Sequence, residues 1–295
     1  MPNPRVKLFD AHAHFFTNDI DRYPVDLTGA REGRDALLAR LERDPATAER
    51  VFALWDVSGV TGGAAVQYNT VYKTDNSYTV DVADAHRDRT SAVLILAAAD
   101  PATPEKLRLT AQGHNVSGLR LFGYPDAEGE YPWLDSPAAL ATWDVAADLG
   151  LHMVLMYAPG VPSEAALGRI VALARRYPDT VIALDHCGWP GIENGVAGTI
   201  GPEHRALADV PNIHFKFTQI NFNRFAEAGI DPAGFVRLLV DSYGAGRVMW
   251  GSDYGNTKNS YVEMVHEAIK ATGLLDEGER DQVLHANGAR LFAGR

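Results

Sequence analysis

Two histidines separated by a single residue follow an apolar stretch near the start of the chain, in the sequence Asp10-Ala11-His12-Ala13-His14. Side chains of a strand alternate between its two faces. Asp10, His12 and His14 are therefore expected to point the same way, with the two alanines packed behind them. Neighbouring imidazoles can bind a metal ion or polarise a carbonyl group. This segment is the first candidate for a site.

Two later apolar stretches also end in groups that titrate. Residues 184–188 read LDHCG and place His186 at the end of one stretch, whereas residues 249–254 read MWGSDY and place Asp253 at the end of another. A carboxylate beside imidazoles can act as a general base toward water. Three strand ends with matching chemistry favour one shared site over a chance arrangement.

Composition limits the classes of protein to be considered. The chain has 295 residues, is 46% hydrophobic and carries a net charge of −11, so it can bury a large core and is not suited to bind nucleic acid or an anionic membrane surface. Its one cysteine, Cys187, excludes an internal disulfide and a thiolate metal cluster, and we expect it to be a small buried residue. No signal peptide is recognisable and the longest apolar run, Ala92–Ala99, is too short to cross a bilayer, which predicts a cytoplasmic protein.

Short apolar strands alternate with helical segments along most of the chain. Amphipathic stretches such as Ala138–Leu149, Glu164–Tyr177 and Phe235–Tyr243 have apolar residues at the three- and four-residue spacing of helices. Such alternation indicates parallel βαβ units. The predicted strands are Val6–His12, Ala64–Tyr68, Ser91–Ala98, Gly118–Phe122, His152–Tyr157, Val181–His186, Ile213–Gln219 and Val248–Asp253.

Eight such units in roughly 250 residues predict an α/β fold, a (β/α)8 TIM barrel formed by residues 1–295 as one domain. An open doubly wound sheet is disfavoured, because no glycine-rich dinucleotide loop follows the first strand. Two extra C-terminal helices, Tyr261–Thr272 and Glu279–Phe292, are expected to pack on the outside of the barrel. Two long segments after strands one and six, Phe15–Thr47 and Gly188–Pro211, are expected to wall the catalytic face.

The barrel prediction brings the candidate residues together. His12, His14, His186 and Asp253 all follow strands at their C-terminal ends, and strands one and eight become neighbours when a barrel closes. We therefore expect all four side chains at one mouth, where they could hold a metal ion or act on a carbonyl beside an activated water.

The ordered set of motifs resembles the amidohydrolase-related family. DxHxH at residues 10–14, LDHxG at 184–188, WGSD at 250–253 and NGARLF at 287–292 match the pattern of that family from about Lys7 to Phe292. The resemblance implies that Asp253 is the base that activates water. It also implies that His186 contacts the substrate carbonyl, a metal ion or the attacking water.

The chain also departs from that pattern in two informative places. Binuclear members carry a lysine or glutamate at the end of strand four, where this chain reads GLRLF at residues 118–122. Mononuclear zinc decarboxylases carry a histidine at the end of strand five. In this chain the predicted strand five ends at Tyr157, and His152 lies at its opposite end. These differences point to the branch of 2-pyrone-4,6-dicarboxylate hydrolase and the sugar lactonases, whose members use no metal or a weakly held one.

The resemblance thus implies either no required cofactor or one weakly bound divalent ion, with zinc as the first choice. The ligands would be His12, His14 and Asp253, with His186 as an optional fourth. The guanidinium of Arg120 should contact an anion, because an unpaired charge inside a barrel is costly. We favour contact with an anionic substrate over a structural ion pair. Further candidates for substrate binding are Lys216, which could also face outward, and Gln67, Asn76, Tyr157 and Trp189.

Three functions fit these residues. We expect a hydrolase that opens a lactone or pyrone, or a similar carboxylic derivative, with water activated by Asp253. The first alternative is a mononuclear metal-dependent decarboxylase of an aromatic or unsaturated acid. The second is a barrel that binds an anionic metabolite without turnover. The sequence leaves the exact substrate open, and also whether the chain forms a homo-oligomer.

Overall fold

Eight parallel strands form one sheet in which strand order follows chain order, in a computed structural model that describes residues 6–30, 32–158 and 163–294. The architecture is the predicted (β/α)8 barrel. The strands are β1 Leu8–His14, β2 Val60–Val66, β3 Thr90–Ile95, β4 Val116–Gly123, β5 His152–Tyr157, β6 Ile182–Leu184, β7 Ile213–Phe217 and β8 Val248–Trp250. β5 has the predicted limits, and the other strands differ from the predicted ones by a few residues at their ends.

The circle is completed where the chain leaving β8 meets β1. The backbone N–H of Asp253 donates to the carbonyl of His12 at 2.7 Å, and the N–H of His14 donates to the carbonyl of Tyr254 at 3.0 Å. Gly251 makes this approach possible, because a Cβ atom at residue 251 would lie 2.5 Å from Cβ of His12. The glycine of the WGSD motif therefore allows the two site-bearing segments to touch.

Helices follow the strands and surround the sheet. Within the described residues, no helix is both long enough and apolar enough to cross a membrane. The helices are α1 Arg34–Arg43, α2 Ala48–Ser58, α3 Asn69–Tyr72, α4 Ser77–Ala85, α5 Thr103–Gly113, α6 Pro132–Asp135, α7 Pro137–Asp148, α8 Ser163–Arg176, α9 Gly195–Gly198, α10 Pro202–Arg205, α11 Gln219–Ala228, α12 Pro232–Tyr243, α13 Tyr261–Ala271, α14 Glu277–Asp281 and α15 Asn287–Phe292.

The last helix does not pack on the outside of the barrel as expected. Leu291 and Phe292 of α15 belong to the apolar cluster that fills the barrel, together with Val93 and Met249 from its strands. The hydroxyl of Ser91 donates to the carbonyl of Phe292 at 2.8 Å. Burial of these two apolar side chains draws α15 under the strands, so the end of the chain closes the floor of the barrel. The other predicted C-terminal helix, Tyr261–Thr272, corresponds to α13, which packs against α2 and α12 in the outer layer, as predicted.

An irregularity in β1 changes which way its side chains point. Asp10 pairs with Gly63 and Ala13 pairs with Ala65, so three residues of β1 span two of β2. One extra residue reverses the alternation of faces. The expectation that Asp10 shares a face with the two histidines was therefore wrong. Its carboxylate instead accepts hydrogen bonds from the hydroxyl of Tyr261 on the outer helix α13, at 3.0 Å, and from the backbone N–H of Ser252, at 2.7 Å.

Candidate active site

Three buried ligand atoms form a nearly equilateral triangle at the mouth of the barrel. Nε2 of His12 lies 3.3 Å from Nε2 of His14, and Oδ1 of Asp253 lies 3.5 Å from the first nitrogen and 3.3 Å from the second. All three side chains are at most 3% exposed. The DxHxH and WGSD motifs, about 240 residues apart in the sequence, thus meet within contact distance.

The outer nitrogens of the two histidines determine what the triangle offers. Nδ1 of His12 lies 3.0 Å from Oδ1 of Asp185, and Nδ1 of His14 lies 2.9 Å from the carbonyl oxygen of Val66. A carboxylate and a carbonyl only accept hydrogen bonds, so each Nδ1 carries the proton in a neutral ring. Both Nε2 atoms therefore present lone pairs to Oδ1 of Asp253.

This arrangement fits a single divalent metal ion. Three acceptors converge on one point, and Oδ1 of Asp253 is buried with no hydrogen-bond donor among the described residues. Ligand atoms at 2.0–2.1 Å from a tetrahedral zinc ion lie about 3.3 to 3.4 Å apart, close to the sides of the triangle. His12, His14 and Asp253 are thus suited in type and spacing to hold one ion. The fourth predicted ligand, His186, lies beside the triangle, with its ring centroid 5.6 Å from that of His12.

Asp253 is held by its own loop. Its backbone has φ of 59°, in the left-handed region that aspartate tolerates better than most residues, and Nδ2 of Asn256 donates to Oδ2 at 3.0 Å. Burial alone would raise the pKa of Asp253, but the close approach of His14 and of the nearby imidazoles of His186 and His12 outweighs it, so the pKa lies below its ordinary value. The carboxylate is therefore ionised at neutral pH.

His186 follows β6 in a turn of unusual backbone. The φ angles of His186, Cys187, Gly188 and Trp189 are 53°, 55°, 64° and 56°, so four consecutive residues are left-handed. Nδ1 of His186 lies 2.7 Å from the hydroxyl of Thr218. Left-handed residues other than glycine cost about 1 kcal/mol or more each, which indicates that the surrounding contacts enforce the turn.

Tyr157 and His204 supply part of that support. The hydroxyl of Tyr157 donates to the carbonyl of Gly188, and Nε2 of His204 lies 2.8 Å from the same oxygen. The indole of Trp189 donates to the carbonyl of Tyr157 at 2.6 Å. Tyr157, predicted to bind substrate, thus contacts the turn that carries His186. Cys187 is buried as expected, and burial raises the pKa of its thiol well above the ordinary value.

Beneath the triangle lies a buried cluster of charges centred on Asp185. Its Oδ1 faces Nδ1 of His12, and its Oδ2 accepts a 2.7 Å hydrogen bond from Nε of Arg120. Nζ of Lys216 lies 3.4 Å from Oδ1, at an angle too oblique for a hydrogen bond, and 4.6 Å from the centre of the Phe292 ring. Arg120 and Lys216, both predicted to bind substrate, therefore meet the same protein carboxylate.

The charges in this cluster are fixed by their surroundings. Burial would raise the pKa of Asp185, but His12, Lys216 and Arg120 together hold it well below its ordinary value. Burial lowers the pKa of His12 to about 3 and also lowers that of His186 and of Lys216. The two imidazoles are therefore neutral at physiological pH, and Asp185 is an anion.

Two other predicted substrate contacts lie in the loop between β2 and α4. The side chain of Gln67 binds the carbonyl of Asp75 at 2.5 Å and the hydroxyl of Thr79 at 2.6 Å. Asn76 donates to the carbonyl of Ile95 at 2.9 Å and accepts from its N–H at 2.9 Å. Both side chains hold the loop and the end of β3 in the described structure.

Several residues around the triangle were not predicted from the sequence. The ring of Tyr68 lies 4.9 Å from that of His14, and the Tyr68 hydroxyl accepts a 2.7 Å hydrogen bond from Arg40 of α1. Arg40 also donates to the carbonyl of Gly255 at 3.1 Å, so α1 is joined to the loop after β8. Asp185 could have been recognised, because it stands next to His186 in the LDHCG segment. Arg40 could not, since only the fold brings α1 to the mouth.

Comparisons with known proteins identify the family of the chain. The model of the amidohydrolase family matches residues 9–294 of the chain. An L-fucono-1,5-lactonase from Burkholderia ambifaria is 26% identical over 217 residues, which cover 70% of each protein.

Solved structures of similar fold cover almost the whole chain. A probable 2-pyrone-4,6-dicarboxylic acid hydrolase from Acinetobacter baumannii, with citric acid bound, superposes with a TM-score of 0.70 at 19% identity, over 96% of this chain and 98% of that one. An amidohydrolase from Burkholderia multivorans with bound zinc gives a TM-score of 0.70 at 18% identity, with the same coverage. At these identities the two likenesses concern the fold alone.

Proposed function

The chain belongs to the amidohydrolase family and is a hydrolytic enzyme, and we propose that it opens a lactone, or a pyrone of similar reactivity, at the site of His12, His14, His186 and Asp253. The observation that carries the proposal is the position of Asp253. An ionised carboxylate oxygen lies 3.3 and 3.5 Å from two imidazole lone pairs at the mouth of a barrel. Such a carboxylate can accept a proton from water at the point where a carbonyl carbon is attacked.

The reaction follows from the roles of these groups. Asp253 accepts a proton from water as the water oxygen bonds to the carbonyl carbon of the ring. His186 donates a hydrogen bond to the oxygen that gains negative charge, a contribution of about 3 kcal/mol for one well-placed donor. The ring C–O bond then breaks, and Asp253 returns the proton to the departing oxygen. The product is the open hydroxy acid.

A divalent ion held by His12, His14 and Asp253, for which zinc is the first candidate, would act as a Lewis acid toward the carbonyl or the water. Asn256 fixes the carboxylate through Oδ2 and leaves Oδ1 for this centre. The imidazole lone pairs remain directed inward because Asp185 and the Val66 carbonyl occupy the outer nitrogens. The lactonase among the relatives supports the proposed ring opening, and the zinc bound in a structural neighbour supports the proposed metal site.

We propose that the substrate carries a carboxylate or another electron-rich oxygen near Arg120. Nε of Arg120 is bound to Asp185, but Nη2 faces the sulfur of Met156 at 3.1 Å. Sulfur is a weak acceptor, so a substrate oxygen would be the better partner. Lys216, by contrast, is fully buried and would act on the substrate only through its charge.

Three assays test the proposal on purified protein. A pH-indicator assay with a neutral sugar-acid 1,5-lactone and with 2-pyrone-4,6-dicarboxylate should detect acid release from at least one of them. Release of CO2 from a phenolic carboxylic acid, without ring opening of either compound, would instead establish the decarboxylase. Calorimetric binding of the intact compounds without turnover would establish a binding protein.

Arg120→Met tests the charge of the substrate separately. The variant should raise KM for the dicarboxylated pyrone more than for the neutral lactone, because only the former offers a carboxylate to pair. An equal change for the two compounds would show that Arg120 acts only within the ion pair with Asp185. Unfolding curves of the variant report the cost of breaking that pair.

A further inference from the structure

We propose that Asp185 is a positioning residue that fixes which nitrogen of His12 carries the proton, and that Arg120 fixes which oxygen of Asp185 is available for this purpose. The inference rests on the role proposed for His12 in the centre. It concerns a residue that contacts the outer nitrogen of His12, Nδ1, and not the inner nitrogen Nε2 that belongs to the triangle.

Asp185 contacts His12 through its Oδ1. Oδ1 of Asp185 lies 3.0 Å from Nδ1 of His12, and both side chains are fully buried, so no water competes for the imidazole proton. A carboxylate at Nδ1 keeps the proton there and leaves Nε2 as a lone pair. A histidine in the opposite tautomer would direct N–H toward the centre and could bind neither a metal ion nor a proton.

Asp185 also contacts Arg120, through its Oδ2. The guanidinium only donates, so Nε at 2.7 Å requires an oxygen at the Oδ2 position. Both oxygens of Asp185 are thus assigned, Oδ2 to Arg120 and Oδ1 to His12. Lys216 adds a positive charge near Oδ1 but no hydrogen bond in the described structure.

This assignment makes an unusual prediction for Asp185→Asn. In the variant, Arg120 still requires the amide oxygen, so the amide nitrogen takes the place that faces His12. Nδ1 of His12 would then accept, and Nε2 would carry the proton. An isosteric change should therefore invert the tautomer of His12 instead of loosening its ring.

The test is best made in a Lys216→Met background. Asp185→Asn alone would leave two buried cations without their carboxylate, a cost of several kcal/mol that endangers folding. The double variant K216M/D185N loses one negative and one positive charge, so the net charge of the cluster equals that of the wild type. Any change in metal affinity then cannot be ascribed to added positive charge.

Asp84→Asn is a matched control. Asp84 also contacts the Nδ1 of a histidine, His114, at 2.5 Å, but that pair lies on α4 and the segment after α5, and both side chains are partly exposed. The control variant removes the same chemical contact away from the centre.

The tautomer is read from long-range 15N–1H correlation spectra of the histidine rings in the metal-free protein, with His12 assigned from a His12→Asn spectrum. Wild type and K216M should show Nδ1–H at His12, and K216M/D185N should show Nε2–H. Zinc affinity, measured by competition with a chromophoric chelator, should fall roughly 10- to 100-fold from the wild type to the charge-matched double variant and stay unchanged in Asp84→Asn.

Three results would overturn the inference: Nε2–H at His12 in the wild type or in K216M, Nδ1–H retained in the double variant, or an inverted tautomer with unchanged zinc affinity. The wild-type spectrum alone remains decisive if the double variant does not fold. Because no substrate is present, a failure here is separate from a failure of the proposed lactone hydrolysis.

Discussion

Asn256 donates a 3.0 Å hydrogen bond to Oδ2 of Asp253 and thereby directs Oδ1 toward the two histidines. The same loop supplies the base and the group that orients it. Asn256→Ala should lower kcat by roughly tenfold, since a hydrogen bond to a charged group contributes about 1.5 kcal/mol or more. Steady-state kinetics measure the effect. Asn223→Ala is the control, because Asn223 donates to Asn259 instead, and equal losses in the two variants would argue against this orienting role.

Asp253→Asn should abolish most turnover while the fold is retained. The amide keeps the shape of the side chain but cannot accept a proton, and general-base catalysis contributes about 10²- to 10⁴-fold. Loss of a charged ligand should also weaken metal binding. A variant that keeps more than about a tenth of the wild-type kcat would remove Asp253 from the role of base. Circular dichroism and thermal unfolding provide the check on folding.

The purified protein should contain at most one equivalent of divalent metal per chain, and dialysis against a chelator should remove it. Two histidines and one carboxylate form an open site, which binds less tightly than a closed structural zinc site. Elemental analysis before and after dialysis gives the stoichiometry. Two tightly held equivalents would be incompatible with the triangle as the whole of the metal site, whereas one essential equivalent resistant to chelators would favour the decarboxylase.

Stability should decrease as the pH falls from about 6.5 to 4, in part because of His214. Burial, with Arg290, Arg247 and His152 nearby, lowers the pKa of His214 to about 4. Below pH 6.5 the unfolded chain binds a proton that the folded protein takes up only near pH 4, so stability present above pH 6.5 is lost across this window. The contribution of His214 is up to about 3 kcal/mol.

Urea unfolding of His214→Leu at pH 7, 5.5 and 4.5 measures this contribution. The variant should lose less stability than the wild type between pH 7 and 4.5. His12 titrates in the same window in both proteins, so the difference isolates His214. His266→Gln, an exposed substitution on α13, should follow the wild-type curve. Identical slopes in all three proteins would contradict the pKa assigned to His214.

Much of the barrel could be predicted because buried parallel strands and amphipathic helices have distinct periodicities. β5 was predicted at its observed limits, and the other strands were displaced by a few residues. The face of Asp10 was mispredicted, because a bulge in β1 leaves no trace in hydrophobic periodicity. The place of α15 was mispredicted for a related reason. An amphipathic helix shows that it has a buried face, but not whether that face covers the wall or the floor of a barrel.

The meeting of His12, His14 and Asp253 follows from the adjacency of the first and last strands, which the barrel prediction contains. The ion pairs of Arg120 and Lys216 with Asp185 could not be derived in the same way. They depend on how far long side chains reach across the barrel, and this is set by packing. The assignment of Gln67, Asn76 and Tyr157 to substrate binding stays a prediction. In the described structure each of these side chains forms hydrogen bonds to loop backbone or to a neighbouring side chain.

The hydrogen bond from the N–H of Asp253 to the carbonyl of His12 also has a consequence for folding during synthesis on the ribosome. The hydroxyl of Ser252 donates to that same carbonyl across 240 residues of sequence. At translation speeds of about 5 to 20 residues per second, the two histidines emerge roughly 10 to 50 seconds before the carboxylate that completes their site. The nascent chain therefore exposes the imidazoles of His12 and His14 before Asp253, the third ligand of their site, has been synthesised. The ion, if the cell supplies one, can be held by all three ligands only after synthesis of β8.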